Sequence, residues 1–449
     1  MSSLGRGVSR RALLRGGAAA AAGMGALGGL AGCGSAFASG VAGTKLDPQT
    51  VTFWNLFGGG DGARLTTMLD NYQAKHGGAK SLEAATFAWG NPYYTKVSLA
   101  TLGDKPPDVA VAHLTRAKNL ANAGLLTKIT PELLGVVGLK PEDFTDSVWK
   151  AGLINGTSYD IPLDTHPFVM HYNLDVCKKA GLLGSDGLLK PIHGEQEWTT
   201  ALTAMKKATG AFGGAVATIA DTSTSWRWFQ TLYSQMKDST PVLGEDGKRI
   251  TMNDDNAVKT LTFIQAQTKS GLMPAQTDYA GSQTLMFTGK AAFYLQGVWE
   301  ITTEQTAKIP FSMGLIPTIY DQPATQADSH TFILPRLNRD AGQTQRAMGF
   351  VKDLLSQSMI WAAGGHIPAY KPILDSPEYK KLEPQANYAS AATVAKYDAP
   401  AWYSGSGSNF EVTIGSQIGL VQQGLSSPAA AVKNIRSALQ AYANTPNPL

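Results

Sequence analysis

The sequence predicts an α/β fold with mainly parallel sheets flanked by helices, and three observations carry that prediction. Short apolar runs alternate with stretches of helical periodicity along most of the chain. The length of 449 residues allows two or three domains with sizeable cores. Hydrophobic residues at 43% and charged residues at 16% are ordinary globular usage, which excludes collagen, coiled-coil and polytopic membrane classes.

The fold is expected to start at Thr50. Val51-Thr52-Phe53-Trp54 is a short β-rich run, Leu65, Met68, Leu69 and Tyr72 recur at helical spacing, and residues 82–89 give a second β-like run. Residues 93–101 read as a helix and Asp108-Val109-Ala110-Val111-Ala112 as a third, buried strand, the alternation that parallel pairing produces. Residues 152–162 read as a β-turn-β element with Asn155-Gly156 as its turn, followed by a strand at 168–172. Residues 174–180 look helical and 198–208 form an amphipathic helix. A short strand follows at 215–219, then a helix at 256–270 closed by Gly271. Residues 291–295 and 311–316 are further strands. Near the end, Ser427-Pro428 caps a helix whose Val432, Ile435, Leu439 and Tyr442 share one face.

The first 40 residues are an address and not part of the fold. Arg10-Arg11, followed by Ala12-Leu13-Leu14 and an Ala/Gly-rich stretch, resembles a twin-arginine export signal. Leu30-Ala31-Gly32-Cys33 resembles the bacterial lipoprotein processing site, with Cys33 as the lipidated first residue. This gives a signal peptide over residues 1–32 and a lipidated cysteine with a flexible tether over 33–48, which puts the protein outside the cytoplasm, anchored to the membrane. With Cys33 lipidated, Cys177 is alone, so neither an intrachain disulfide nor a thiolate metal cage can form. The formal charge of +4 comes from the four arginines of the signal; without them 34 basic residues face 34 acidic ones. Such a body has no electrostatic reason to hold nucleic acid.

Catalytic motifs are absent: no phosphate loop, no H-E-x-x-H and no nucleophile elbow. The seven histidines show no ligand spacing, and neither metal nor cofactor is expected. Gly58-Gly59-Gly60-Asp61-Gly62-Ala63 matches a dinucleotide loop weakly, but the second strand starts at Glu83 and ends near Trp89, with no acidic residue at its end for a ribose. A plain strand-to-helix loop lining a cleft fits better. Trp54, Trp89, Trp226, Trp228, Trp299 and Trp402 fall beside predicted strand ends or Gly/Ser-rich loops. Aromatics there, among Asp, Asn and His, suit stacking on sugar faces.

Five sets of segments carry a resemblance to a known family. They are Val51-Thr52-Phe53-Trp54; Lys105-Pro106-Pro107-Asp108-Val109; Asn155-Gly156-Thr157-Ser158-Tyr159-Asp160-Ile161-Pro162 with His171-Tyr172-Asn173 and Lys178-Lys179-Ala180-Gly181-Leu182; Phe287-Thr288-Gly289-Lys290-Ala291-Ala292-Phe293 with Gly297-Val298-Trp299; and Gly314-Leu315-Ile316-Pro317 with Gly365-His366-Ile367-Pro368. In this order they resemble the extracellular solute-binding proteins of sugar-importing ABC transporters, the maltose-binding-protein-like family. Phe293 stands where that family often has Met, and residues 403–408 are unusually rich in Gly and Ser.

The resemblance implies a two-lobed periplasmic-binding-protein-like fold with ligand closed between the lobes by hinge bending. Lobe 1 would comprise residues 49–163 plus 322–357, and lobe 2 residues 164–321 plus 358–449. The chain would cross near 162–166, 317–330 and 357–365. Asp164, Thr165 and His166 are then expected either to contact ligand or to stabilise the hinge. Trp299 matches a family aromatic that stacks on sugar. Trp54, Asn55, Asp61, Asn91, His113, Trp226, Trp228, Trp402 and Asn409 are ligand candidates by loop position alone. The expected function is that of a monomeric lipid-anchored receptor, without catalysis, that passes a carbohydrate, expected to be an oligosaccharide, to permease subunits. The alternatives are an extracytoplasmic carbohydrate-active enzyme, for which Asp160 and Asp164 are the one carboxylate pair to nominate, or the same fold binding a polyamine, metal complex or peptide.

Overall fold

A computed structural model describes residues 49–447; the predicted signal, Cys33 and the tether lie outside the described residues. The strands, in chain order, are β1 (Val51–Asn55), β2 (Leu82–Thr86), β3 (Val109–His113), β4 (Asp160–Pro162), β5 (Asp164–Asn173) and β6 (Gly214–Ala215). They continue with β7 (Phe293–Gly297), β8 (Phe311–Gly314), β9 (Thr325–Asp328), β10 (His330–Ile333), β11 (Ile367–Pro368) and β12 (Ala395–Lys396). One sheet has the order β2-β1-β3-β10-β4; the other runs β12-β9-β5-β7-β6, with β8 and β11 also paired to β5.

The expected mainly parallel sheets are in fact mixed. β1 pairs in parallel with β2 and β3, as strand and helix alternation requires, but β10 lies antiparallel to both β3 and β4. In the second sheet β5 is antiparallel to β7, β8, β9 and β11, while β6–β7 and β9–β12 are parallel. The reason lies in the passages between sheets. The chain leaves the first sheet at β4 and enters the second at β5 through Leu163 alone, then returns from β9 to β10 through Ser329 alone. A strand that arrives by such a return runs against its neighbours, with no crossover helix to turn it around.

Each sheet has its own core. Phe53, Val111, Phe332 and Trp361 belong to a cluster that packs the helix Ala341–Ser356 on the first sheet, and Phe168, Trp198, Trp228 and Phe293 to one on the second. A third cluster, with Val169, Val298, Ile367 and Tyr388, fills the base between them. Each such side chain removed from water contributes about 1.5–3 kcal/mol.

The helices that position the site are α1 (Gly59–Lys75), α2 (Asn91–Leu102), α3 (Thr222–Ser234), α4 (Ala341–Ser356), α5 (Asn409–Gln422) and α6 (Pro428–Ala443). Their ends follow local chemistry. The Asp221 side chain accepts from Thr224 N at the start of α3, and Ser427 does the same from Ala430 N at α6. Asn155 and Gly156 both have positive φ, and Ile154 and Thr157 pair across them, so the predicted turn forms in the mirror-image geometry those residues permit. The strand before it does not form; residues 146–152 are helical.

The Gly/Ser loop after Trp402 is a point of contact between the two halves. A Cβ on Gly405 would fall 2.5 Å from Thr115 Oγ1, and one on Gly407 would fall 2.7 Å from Gly90 Cα. Asn119 Nδ2 donates to the Ser404 carbonyl at 3.2 Å, and the Ser406 hydroxyl donates to Asp328 at 2.8 Å. Among the described residues no helix is long and apolar enough to cross a membrane.

Helices α3 and α5 meet so closely that a Cβ on Gly415 would lie 1.9 Å from the Thr222 carbonyl oxygen. Gly415→Ala is therefore expected to destabilise the fold by about 2–3 kcal/mol, read from the denaturant midpoint at constant slope.

Candidate functional site

Between the two sheets lies a cleft of about 320 Å³. Leu56, Phe57 and Gly58 reach it from the loop after β1, Asp61 from the first turn of α1, Trp89 from the loop after β2, and His113 from the end of β3. The opposite wall is Asp221, Ser223 and Arg227 at the start of α3, with Tyr279 and Trp299. His166 and His330 form the base, one from each strand that passes between the sheets.

A single carboxylate organises that base. Asp164 is fully buried. Its Oδ1 accepts from the His330 backbone N–H at 2.8 Å and pairs with His166 Nδ1 at 3.1 Å; its Oδ2 pairs with His330 Nδ1 at 2.7 Å and accepts from Trp361 Nε1 at 2.6 Å. His366 Nδ1 lies 3.0 Å from Oδ2, an ion pair rather than an aligned hydrogen bond, while its Nε2 sits 2.9 Å from Asp61 Oδ1. Burial disfavours a charged His366, yet Asp61 and Asp164 outweigh it and hold the imidazolium up to about 10. Burial pushes His166 down to about 3, with His330 adding to the effect, and lowers His113 well below the usual range. The donor atoms of Asp164, His166, His330 and His366 all fall within 4.8 Å of one another. That spacing would suit a divalent ion, but the Nδ1 atoms of His166 and His330 are already committed to the carboxylate, which leaves these rings only Nε2 to offer.

The aromatic wall is held as firmly. Trp299 Nε1 donates to Tyr279 Oη at 3.0 Å, and Tyr279 donates in turn to Glu300. The Arg227 guanidinium lies 5.0 Å from the Trp299 ring and 3.6 Å from Glu411. Trp89 stands across the cleft, 46% exposed, a large apolar face left open to solvent.

Of the residues chosen from sequence, Asp61, His113, His166 and Trp299 line this cleft. Asn91, Trp402 and Asn409 instead line a neighbouring groove of about 310 Å³ beyond the Gly90–Gly407 contact, where Asn91 donates to Asn409 at 3.2 Å. Asp164 and Thr165 are buried beneath the base. Asn55 is buried too and shapes the loop after β1 by accepting from Phe57 N–H, while Trp54 packs edge-on against Phe87. Trp226 and Trp228 correct the expectation of loop positions: both lie within α3, at 1% and 0% exposure, and helical periodicity turns them into the second core. Sequence reasoning missed Arg227, Tyr279, His330 and His366. The signal for both histidines was present, since each flanks a segment where the chain was expected to cross. Asp160 and Asp164, nominated as an enzymatic pair, both lie outside the cleft lining, so they cannot flank a bound glycosidic bond.

The sequence profile of the bacterial extracellular solute-binding proteins matches residues 59–355, well over half the chain. The chain belongs to that family. Among curated relatives, this solute-binding protein is 24% identical over 283 residues to a maltooligosaccharide ABC transporter solute-binding lipoprotein of Streptococcus pneumoniae, covering 61% of this chain and 62% of that one. It is 28% identical over 282 residues to the arabinooligosaccharide-binding protein of Bacillus subtilis, covering 60% and 59%. The matched region thus spans about three fifths of the relatives' length. The crystal structure of the cyclic alpha-maltosyl-1,6-maltose binding protein from Arthrobacter globiformis superposes with a TM-score of 0.69 at 19% identity, over 88% of this chain and 99% of that one. That likeness shows the two-lobed fold.

The raised His366 has a measurable consequence. Its contribution to stability is complete below the unfolded value near 6.5 and is lost as pH rises through about 10. Denaturant midpoints should fall between pH 7 and 10 in the wild type and fall less in His366→Gln; equal slopes would contradict the ion pair.

Proposed function

We propose that this protein is a lipid-anchored extracytoplasmic receptor that captures a carbohydrate between its lobes and delivers it to the membrane subunits of an ABC importer. The single observation that carries this reading is the cleft itself: Trp89 and Trp299 face a space rimmed by the imidazoles of His113, His166 and His330 and by Asp61, Asp221 and Arg227. Flat apolar faces pack on the C–H surface of a pyranose, and the polar groups take its hydroxyls. The relatives named for maltooligosaccharides and arabinooligosaccharides support an oligosaccharide as ligand. Lobe boundaries near Leu163, Ser329 and the segment after Ser356, hinge closure about them, the export signal, the Cys33 anchor and the monomeric state belong to the same proposal. Of the calls on single residues, Asp61, His113, His166 and Trp299 remain as ligand contacts, with Asn91, Trp402 and Asn409 facing the adjoining groove.

The cleft contains no arrangement for turnover in this reading: the ligand binds, the lobes close on it, and it leaves unchanged. Arg227, paired with Glu411 at the wall, works against a polyamine by like-charge repulsion.

The test is thermal unfolding of a fragment beginning at Gly34 against mono- and oligosaccharides, polyamines and peptides. A saccharide at about 100 times its dissociation constant contributes roughly 2.7 kcal/mol, and it should be recovered intact. Trp299→Ala should weaken that binding by about 10-fold or more. A shift with polyamines alone, or cleavage of the sugar, would refute the proposal.

A further inference from the structure

An ionised carboxylate offers hydrogen-bond acceptors and no donor, so an imidazole nitrogen hydrogen-bonded to it must carry a proton. Asp164 is such a group: it is buried, but it accepts from the His330 backbone N–H at 2.8 Å and from Trp361 Nε1 at 2.6 Å and lies 3.0 Å from the His366 imidazolium, which together keep it a carboxylate. It faces the Nδ1 atoms of His166 at 3.1 Å and His330 at 2.7 Å. Each ring, when neutral, then keeps its proton on Nδ1 and its lone pair on Nε2. The two rings stack with centroids 4.1 Å apart and planes 23° from parallel, and since each turns its Nδ1 to Asp164, each carries its Nε2 on an edge turned away from that carboxylate. Both rings line the cleft, and their hydrogen bonds to protein are all made through Nδ1.

We infer that Asp164 is a positioning residue that turns His166 and His330 into a pair of adjacent acceptors, and that the ligand group they receive is two neighbouring hydroxyls, both donating. This deepens the carbohydrate reading above and rests on it. It also sets a specificity. A carboxylate or phosphate placed there would bring acceptors against acceptors, so the base of the cleft selects a neutral vicinal diol over an acidic or phosphorylated sugar. Asp164 itself, fully buried, touches no ligand.

The tautomers are readable without any ligand. In 15N-histidine-labelled protein at pH 7, two-bond proton–nitrogen correlation spectra, assigned through His166→Gln and His330→Gln, should show both rings protonated on Nδ1 and bare on Nε2. A bound saccharide should move the two Nε2 resonances in the direction of an accepted hydrogen bond. Asp164→Asn presents one donor and one acceptor in place of two acceptors. It should switch one ring to the Nε2–H form and weaken saccharide binding about 10-fold or more. Methyl ethers at either of the two hydroxyls should lose affinity to a similar extent. A proton on Nε2 of either ring in the wild type overturns the inference, even if the Asp164 variant fails to fold. So does an Asp164→Asn protein that folds and binds as tightly as the wild type. Tautomers as stated, with no saccharide bound from the whole panel, overturn the carbohydrate reading and leave the role of Asp164 standing.

Discussion

One buried negative charge governs the architecture of this molecule. Taking a carboxylate out of water costs several kcal/mol unless it is paired and hydrogen-bonded in full. Asp164 meets that condition because its own strand supplies His166 and two distant stretches of chain come to it: His330 from the return strand, and Trp361 with His366 from the segment that follows α4. The same three stretches are where the chain passes between the halves of the fold. The passages are therefore tied to each other at one point, beside the single-residue links Leu163 and Ser329 that join the sheets.

Around this fixed base the cleft divides its work by element type. Strand ends supply the imidazoles, whose orientation is locked by main-chain geometry as well as by the carboxylate. First turns of helices supply Asp61 and Ser223, and the second turn of α3 supplies Arg227. The aromatic faces, Trp89 from a loop and Trp299 from a single 3-10 turn, are each steadied by a partner: Trp299 by Tyr279, and Trp89 by the glycine backbone it lies against. A site so assembled is preorganised, and little side-chain freedom remains to be lost when a ligand enters.

Much of the fold was legible in the sequence because local periodicity and capping decide it. The three opening strands, the helix at 91–102, the turn at Asn155-Gly156 and the Ser427-capped helix all appear within a few residues of their predicted places. Strand direction was not legible. Alternation of strand and helix speaks only for neighbours in sequence, whereas β5 takes its partners from far along the chain. The site was half legible. Loop position put Asp61 and His113, and the family resemblance His166 and Trp299, among candidates that line the cleft, but loop position also drew in Trp226 and Trp228, whose helix was not recognised and whose indoles fill a core. His330 and His366 escaped because a ligand set made by three crossing segments has no spacing in sequence; only the geometry of the crossings brings its members together.

The glycine-serine stretch after Trp402 reads as permissive, the kind of surface segment in which substitutions accumulate freely. Its backbone says otherwise. Gly405 and Gly407 adopt positive φ, and each lies against the opposite half of the molecule with no room for a single added carbon. Any side chain there would wedge the halves apart or strain the turn. Mutational tolerance in this protein thus runs against appearance: its most featureless-looking segment leaves natural variation almost no alternatives at two of six positions.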